Sequence, residues 1–134
     1  RPRRQRQMCI RDREYVPQRE TFGAPLSSRQ SIQWMLVDNE IDIKQSLWIT
    51  LEAAAKAERG ENFRKEAAMA KLVATEAGGR VVDRCMQMFG GLGVAKDLPF
   101  ERWFREMRIR RIGEGPSEVQ RHVIARELLG SSLR

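Results

Sequence analysis

One carboxylate stands out because of the backbone around it. Glu114 lies between Gly113 and Gly115, just before an amphipathic segment. Flanking glycines permit unusual backbone dihedrals and remove side chains that would block a ligand. Desolvation in a narrow slot raises the pKa of a carboxylate and suits it to accept a proton as a general base. The pattern equally fits a turn acid that complements the dipole of the following helix, so both interpretations stay open.

Three arginines precede this carboxylate, at positions 108, 110 and 111. A guanidinium aimed at a carboxylate lowers its pKa and weakens it as a base. If Glu114 is a base, the three guanidiniums should therefore point away from it, toward solvent or toward acidic partners.

Two loop segments carry residue types that suit a nucleotide. In "RETFGAPL" (residues 19–26), Arg19 and Thr21 suit a diphosphate, and the ring of Phe22 suits an adenine face. In "QMFGGLG" (residues 87–93), bare glycine backbone would let a phosphate or a ring approach closely. These glycines follow a helix, which is the reverse of the order in a dinucleotide-binding G-x-G-x-x-G turn. The alternative to a nucleotide site is a plain connecting loop for residues 19–26 and a helix end with its loop for residues 87–93.

The sequence offers no pattern for a metal site or a nucleophilic triad. His122 is the only histidine, and no second histidine or cysteine lies near it in sequence. Cys9 and Cys85 are far apart and lack C-x-x-C spacing, so we expect buried thiols in a reducing compartment. No bound metal is predicted.

Length and composition indicate one globular domain. The chain has 134 residues, of which 41% are hydrophobic and 32% charged, enough for a single modest core. It contains neither an apolar run that could cross a membrane nor the apolar centre of a secretory signal. The net charge of +7 leaves a nucleic-acid-binding module open, although residues 1–20 carry +4 of that charge. A polyanionic nucleotide ligand would account for the excess equally well.

Periodic segments predict the helices that must position these groups. Residues 28–59 and 62–89 form the longest pair, and residues 99–108 form a short helix. A last helix begins near Ser117, where Ser117 and Gln120 fit an S-x-x-Q capping box. Since no segment shows strand-like alternation, the predicted fold class is an all-α antiparallel bundle of four to five helices.

The two long helices differ in the surfaces they offer. In the helix over residues 28–59, one apolar stripe contains Ile32, Met35, Leu36, Ile43, Leu47, Leu51 and Ala54. Trp34 and Trp48 lie on a second face, and because one small domain rarely buries both, we expect the chain to self-associate. The helix over residues 62–89 is rich in alanine and glycine, which let helix axes approach closely. It is therefore predicted to run through the middle of the bundle.

Three motifs together resemble the C-terminal helical domain of the acyl-CoA dehydrogenase flavoprotein family. The first, R-x-x-F-G-x-P-L-x-x-x-Q, spans residues 19–30, and the second, Q-x-x-G-G-x-G, spans residues 87–93. The third, E-G-x-S-x-x-Q-R-x-x-I-A-R, spans residues 114–126. Their order and spacing follow the family pattern over nearly the whole chain.

The resemblance implies an activity. The family oxidises an acyl-CoA thioester to the trans-2-enoyl-CoA: a glutamate removes an α-proton while the β-hydrogen leaves as hydride to FAD. Glu114 falls on the position of that base. The Gly115 backbone falls where the family helps to bind the thioester carbonyl, and Arg126 is a candidate for the nucleotide end of CoA.

The resemblance also implies which residues contact FAD. These are Arg19, Thr21, Phe22, Gln30, Gln87, Gly90, Gly91, Ser117 and Glu118. Arg19 and the loop after Gln87 typically serve the flavin of a neighbouring subunit. The chain departs from the family pattern at Gly113, where an aromatic residue is common, and at Pro116 and Glu118, where threonine and glutamine are usual. These departures point toward a less typical subfamily with altered flavin contacts.

Domain content, partners and location follow from the same resemblance. Residues 1–134 correspond to the C-terminal domain, with residues 1–18 as the end of a preceding helix, and the family's N-terminal helical and middle β domains are absent. The implied partners are an acyl-CoA, an electron-transferring flavoprotein and further copies of the chain in a homodimer or homotetramer, with no nucleic acid and no membrane insertion. The implied location is the cytoplasm of a bacterium or the mitochondrial matrix. A non-catalytic helical oligomerisation fragment is the alternative, and the isolated chain is expected to be inactive.

Overall fold

The computed structural model describes residues 10–132, apart from the side chain of Ser131. Cys9 and the start of the first predicted helix lie outside the described residues. The helices are α1 (residues 10–15 of its described part), α2 (Gln30–Glu58), α3 (Arg64–Phe89), α4 (Gly91–Val94), α5 (Phe100–Arg110) and α6 (Ser117–Leu129). The all-α prediction is confirmed, and the additional helix within the described residues is the single turn α4.

Two very short strands form a hairpin on the surface. Strand β1 (Glu20–Thr21) pairs antiparallel with β2 (Ala24–Pro25), and a 3₁₀ turn (Leu26–Ser28) leads into α2. None of the residues in these strands is among the buried residues described. The hairpin therefore does not contribute a sheet to the core. Arg29 donates a hydrogen bond of 2.7 Å to the Thr21 carbonyl and ties the hairpin to the start of α2.

Helix α3 lies at the centre of the bundle, as its small residues predict. It packs against α2, α4, α5 and α6. Its buried positions include Ala68, Ala70, Ala77 and Gly78, which let the neighbouring helices come close. The rest of the molecule is built around this helix.

Polar groups fix α2 against α3. The Asp42 carboxylate accepts hydrogen bonds from Arg80 at 2.5 Å and from Arg84 at 2.7 Å. Burial raises the pKa of Asp42, but the bonds from the two arginines outweigh it and hold that pKa below its ordinary value. Near the other end of the pair, Lys56 donates to Glu66 at 2.6 Å. The numbers rise along one helix as they fall along the other, so the two helices are antiparallel.

The buried side of α2 contains polar residues as well as part of the predicted apolar stripe. Its fully buried residues are Asn39, Asp42, Ser46 and Ala53. Four residues of the predicted stripe are partly buried and pack against the core, namely Ile32, Met35, Leu36 and Ile43, whereas Leu51 and Ala54 are exposed. The stripe prediction is therefore confirmed in the first half of α2, but it missed the buried polar residues, of which Asn39 and Asp42 bond to α3.

The second face of α2 is exposed, as expected. Trp34 and Trp48 are 61% and 67% exposed, and Val37, Ile41 and Leu51 lie exposed along the same helix. The residues described here do not cover this surface. We call it the α2 outer face.

An aromatic row closes one end of the core. Tyr15 stacks on Phe89 with a centroid distance of 4.0 Å, and Phe89 contacts Phe100 at 4.6 Å. Trp103 meets Phe100 edge-on at 5.8 Å. This row joins α1, the end of α3 and the start of α5.

A buried carboxyl group lies beside this row. Asp12 is fully buried, and its Oδ2 accepts a hydrogen bond of 2.8 Å from the Cys85 thiol. Within the described residues, its Oδ1 has no hydrogen-bond partner. Burial raises the pKa of Asp12 to about 6, although the bond from Cys85 acts in the opposite direction. The burial of Cys85 confirms the prediction for that thiol.

We predict that this carboxyl group makes the folded chain less stable as the pH rises. The folded-state pKa of about 6 exceeds the ordinary value of 3.8, so the folded state holds the proton more tightly. Its stabilising contribution is complete below pH 3.8 and is lost as the pH rises through 6. That shift corresponds to at most about 3 kcal/mol in the free energy of unfolding.

Urea denaturation of the wild type and of Asp12→Asn at several pH values measures this contribution. The amide keeps the size of the side chain but does not titrate. We expect Asp12→Asn to gain stability relative to the wild type between about pH 4 and pH 7. A stability difference that does not change with pH would contradict the prediction.

Candidate functional site

The connection between α5 and α6, residues 111–116, places Glu114 at the surface; we call it the Glu114 turn. The Ile109 carbonyl accepts hydrogen bonds from Ile112 at 3.0 Å and Gly113 at 2.8 Å, which ends α5. Glu114 then adopts φ 56°, and Gly115 adopts φ 92°. A left-handed conformation is uncommon for a residue with a side chain, so the turn is strained.

The strain is not where the sequence predicted it. Gly115 has the expected unusual dihedral, but Gly113 is not among the residues with positive φ. A Cβ added at Gly113 would lie 3.4 Å from the Ile109 carbonyl oxygen, which is ordinary contact. A Cβ at Gly115 would lie 2.6 Å from Gln120 Nε2. The residues of the turn with positive φ are therefore Glu114 and Gly115.

Two side chains hold the carbonyl of Gly115. Lys71 Nζ donates to it at 2.6 Å, and Gln120 Nε2 donates to it at 3.1 Å. Gln120 Nε2 also lies 3.4 Å from the Glu114 carbonyl. The bond from the ammonium group is charge-assisted and therefore the stronger kind. The positive φ values are thus supported from α3 and from α6.

A second set of bonds anchors the turn through Glu76 of α3. Ser117 Oγ donates to Glu76 Oε1 at 2.7 Å, and Arg111 contacts Glu76 Oε2 at 3.0 Å. The hydrogen bond from Ser117, followed by the charge of Arg111, holds the pKa of Glu76 below its ordinary value. The turn is therefore tied to α3 by two bonds to a carboxylate as well as by Lys71.

The predicted capping box is wrong. Pro116 is the N-cap of α6 and makes no side-chain capping bond, while Ser117 is the first helical residue. The Ser117 hydroxyl donates to Glu76, and the Gln120 amide donates to the carbonyls of the turn. Both side chains stabilise the entry to the helix through tertiary contacts instead of the local pattern.

The arginines before Glu114 point toward an acidic partner or toward solvent, as predicted. Arg111 pairs with Glu76. Arg108 and Arg111 line a cavity of about 250 Å³ together with Glu76 and Asp83, and Arg110 is exposed. Within the described residues, no ion pair joins Glu114 to any of the three arginines.

Glu114 lines an open cavity of about 540 Å³ between the start of α3 and α6. Phe63 and Val123 supply apolar wall, and Arg64 and Lys71 supply positive charge. Arg126 lies exposed in the last turn of α6, nine residues beyond Ser117 and so about 14 Å along the helix. This arrangement allows a ligand with an apolar part and an anionic part to lie beside the carboxylate.

The other predicted site residues lie at the opposite end of α3. We call this region the hairpin end; it contains Arg19, Thr21, Phe22, Gln30, Gln87, Gly90 and Gly91. Because α2 is antiparallel to α3, its first residues lie beside the last turn of α3. The Phe22 ring is completely exposed, and Phe22 has φ 50°. Gly90 has φ 60° and ends α3, and Gly91 begins α4, so a helical turn stands where a loop was predicted.

The structure does not gather all predicted site residues in one place. Sixteen residues of α3 separate Lys71 at the Glu114 turn from Gln87 at the hairpin end, which corresponds to about 24 Å. Of the remaining predicted residues, Glu118 is exposed beside the turn, whereas Ser117 is buried with its hydroxyl on Glu76. The predicted site residues therefore form two separate groups, which we call half-sites.

Neither a metal cluster nor a membrane-crossing helix is found in residues 10–132. No group of three or more histidine, cysteine, aspartate or glutamate side chains there is arranged to hold a metal ion. No helix in this range is both long enough and apolar enough to span a bilayer.

Sequence reasoning missed Lys71 and Glu76. Lys71 bonds to Gly115 across 44 residues of chain and Glu76 bonds to Ser117 across 41, and neither belongs to a motif. One feature of the sequence could have indicated them. Both are charged residues in a helix that is predicted, from its small residues, to lie at the centre of the bundle.

Comparison with known proteins shows which family this chain resembles. Residues 6–129 match the family model described as acyl-CoA dehydrogenase, C-terminal domain. A mitochondrial short-chain specific acyl-CoA dehydrogenase from Bos taurus is 44% identical over 117 residues, which cover 87% of this chain and 28% of that protein. The probable acyl-CoA dehydrogenase YngJ of Bacillus subtilis is 43% identical over 115 residues, 86% of this chain and 30% of that protein.

A solved structure agrees in fold. Butyryl-CoA dehydrogenase from Megasphaera elsdenii superimposes with a TM-score of 0.90 at 36% identity, over 93% of this chain and 33% of that one. The chain thus spans about a third or less of the length of these relatives.

We predict that Gly115→Ala destabilises the chain more than Gly113→Ala does. The first substitution places a side chain at φ 92° and 2.6 Å from Gln120, and a left-handed residue with a side chain costs about 1–2 kcal/mol. The second places a methyl group in ordinary contact at a backbone without positive φ. Urea denaturation of the two matched variants measures the difference. Equal loss of stability in both would show that the turn does not depend on Gly115.

Proposed function

Because this chain belongs to the acyl-CoA dehydrogenase family, we propose that it is the base-bearing C-terminal domain of an FAD-dependent enzyme. The enzyme would convert an acyl-CoA thioester to the trans-2-enoyl-CoA, and Glu114 would remove the α-proton. The observation that carries the proposal is the strained Glu114 turn, held by Lys71 and Gln120 beside an open cavity. A turn acid with no other task would not need this support.

The chemistry divides among a few groups of this chain. The α-carbon–hydrogen bond breaks, and its proton passes to a carboxylate oxygen of Glu114. The N–H of Gly115 would donate to the thioester carbonyl oxygen, which acidifies the α-hydrogen by stabilising negative charge on that oxygen. Arg126 would bind the nucleotide end of CoA. When bound, FAD accepts the β-hydrogen as hydride.

The hairpin end fits a flavin nucleotide. Arg19 offers a guanidinium for a diphosphate, and the fully exposed Phe22 offers an aromatic face. At Gly90, an added Cβ would meet nothing within 4 Å, so the backbone there is open to a ligand. Thr21, Gln30, Gln87 and Gly91 complete this half-site in the proposal, and Ser117 and Glu118 would approach from the Glu114 turn.

The separation of the two half-sites favours a cofactor shared between copies. With about 24 Å between them, the hairpin end of one chain would serve the flavin beside the Glu114 turn of another. The α2 outer face supplies a surface for such a pair. Antiparallel pairing of two α2 helices centred on Ile41 would place Trp34 opposite Trp48 and Asp38 opposite Lys44. This register buries both tryptophans and joins opposite charges.

The proposed partners are therefore an acyl-CoA, further copies of the chain in a homodimer or homotetramer, and an electron-transferring flavoprotein that removes the electrons. A non-catalytic role in oligomerisation is the second candidate. The exposed tryptophans of the α2 outer face favour it.

We predict that Glu114→Gln, in the FAD-loaded enzyme that contains this chain, slows oxidation of acyl-CoA by at least about a hundredfold. The amide keeps the shape of the side chain but cannot accept the proton, so acyl-CoA should still bind. Stopped-flow absorbance measures the rate, and exchange of the α-hydrogen in D₂O measures proton removal directly.

Glu61→Gln is the matched control, because Glu61 is an exposed carboxylate that lines the same cavity. Its rates should equal those of the wild type. If Glu114→Gln oxidises acyl-CoA within severalfold of the wild-type rate, Glu114 is only a turn acid.

We also predict that Arg19→Ala weakens retention of FAD by about tenfold or more, since loss of a charged hydrogen bond costs about 1.5–3 kcal/mol. The oligomer should stay intact in this variant. Trp48→Glu should lose both the oligomer and FAD, because a charge on the α2 outer face would separate the two half-sites.

Light scattering and flavin absorbance after gel filtration measure both quantities. A Trp48→Glu variant that is monomeric and still retains FAD would show that one chain binds the cofactor alone. Unchanged FAD affinity in Arg19→Ala would remove Arg19 from the site.

A further inference from the structure

We propose that Lys71 is a positioning residue: its ammonium group holds the Gly115 carbonyl and so keeps Glu114 in the orientation that proton removal requires. The contact that carries this inference is the 2.6 Å hydrogen bond between Lys71 Nζ and Gly115 O. The role assigned to Glu114 rests on the proposed function. The anchoring of the turn by Lys71 does not, and it can be tested separately.

The turn needs an anchor because its own backbone does not favour the observed conformation. Glu114 and Gly115 have successive positive φ values of 56° and 92°. A residue with a side chain leaves the left-handed region readily unless the surrounding structure holds it there. Glycine rotates freely about both backbone bonds, so the residue that makes the turn possible also makes it loose.

Lys71 is the link between the strained pair Glu114–Gly115 and the centre of the bundle. It belongs to α3 and lies 44 residues from Gly115 in the chain. Gln120, the other donor to the same oxygen, belongs to α6, which begins two residues beyond Gly115 and would move with the turn. Glu76 anchors Ser117 and Arg111 on either side, but it does not bond to Glu114 or Gly115.

Lys71 donates its hydrogen bond to the Gly115 carbonyl and not to the Glu114 carboxylate. Lys71 and Glu114 line the same cavity, yet no ion pair joins them within the described residues. An ammonium group bonded to the Glu114 carboxylate would oppose proton uptake by that carboxylate. An ammonium group bonded to the Gly115 carbonyl oxygen instead fixes the backbone next to Glu114. The same bond restricts Gly115, whose N–H would face the substrate carbonyl.

The experiment compares Lys71→Met and Lys71→Arg in the FAD-loaded enzyme that contains this chain. Methionine keeps much of the side-chain volume but has no donor, and arginine keeps a charged donor. Lys65→Met is the matched control on the same helix, since Lys65 lies beside Glu66 and not beside the turn. The readouts are kcat, KM for acyl-CoA and hydrogen–deuterium exchange of the peptide covering residues 111–117.

For Lys71→Met we expect kcat to fall by about ten- to a hundredfold, because a small misplacement of a reacting group has an effect of this size. KM should stay within about twofold, since binding contacts elsewhere are unchanged. Exchange in the peptide should quicken. Lys71→Arg should recover most of kcat and of the protection, and Lys65→Met should equal the wild type.

Wild-type kcat and unchanged exchange in Lys71→Met would overturn the proposal, as would a fall in kcat with no change in exchange. If Lys71→Met does not fold, Lys71→Leu takes its place, since leucine also has no donor, and wild-type exchange and kcat in that variant would overturn the proposal equally. If Glu114→Gln is fully active while Lys71→Met still loosens the turn, the base assignment fails and the anchor stands. If Glu114→Gln is inactive and Lys71→Met behaves as wild type, the reverse holds.

Discussion

The carboxylate of Asp42 determines how the two long helices meet. It accepts hydrogen bonds from Arg80 and Arg84 and so fixes the register of α2 against α3. The Asp42 side chain is 10% exposed, but those of Arg80 and Arg84 are 49% and 22% exposed, so removing one partner should cost less than the roughly 3–5 kcal/mol of a fully buried pair. With the register fixed, the start of α2 lies toward the end of α3, and Arg29 ties the hairpin to the start of α2.

The opposite half of α3 determines the Glu114 turn. Lys71 and Glu76 lie five residues apart on this helix, and both bond to the connection between α5 and α6. Residues held at unfavourable φ values cost on the order of 1–3 kcal/mol each. Hydrogen bonds to charged groups contribute about 1.5–3 kcal/mol each to stability. The bonds from α3 are therefore sufficient to offset the cost of the unfavourable φ of Glu114. One central helix thus orders both half-sites while keeping them apart.

Local patterns in the sequence predicted the helices, the central place of α3 and the exposed tryptophans, because periodicity acts over a few residues. They failed where distant residues compete with a local pattern. Ser117 bonds to Glu76 instead of capping α6, and α2 buries Asn39 and Asp42 beside the stripe residues that pack against the core. The Lys71 contact could not be predicted, since no periodicity relates residues 44 positions apart.

In the proposed function, the strained turn places the Glu114 carboxylate against the α-carbon of an acyl-CoA. A crystal structure of the FAD-loaded enzyme containing this chain, with an acyl-CoA analogue that cannot be oxidised, would show this contact. We expect a carboxylate oxygen of Glu114 within about 3–3.5 Å of the α-carbon, with the Lys71 bond to Gly115 preserved. A Glu114 carboxylate in solvent, with another acid beside the α-carbon, would contradict it.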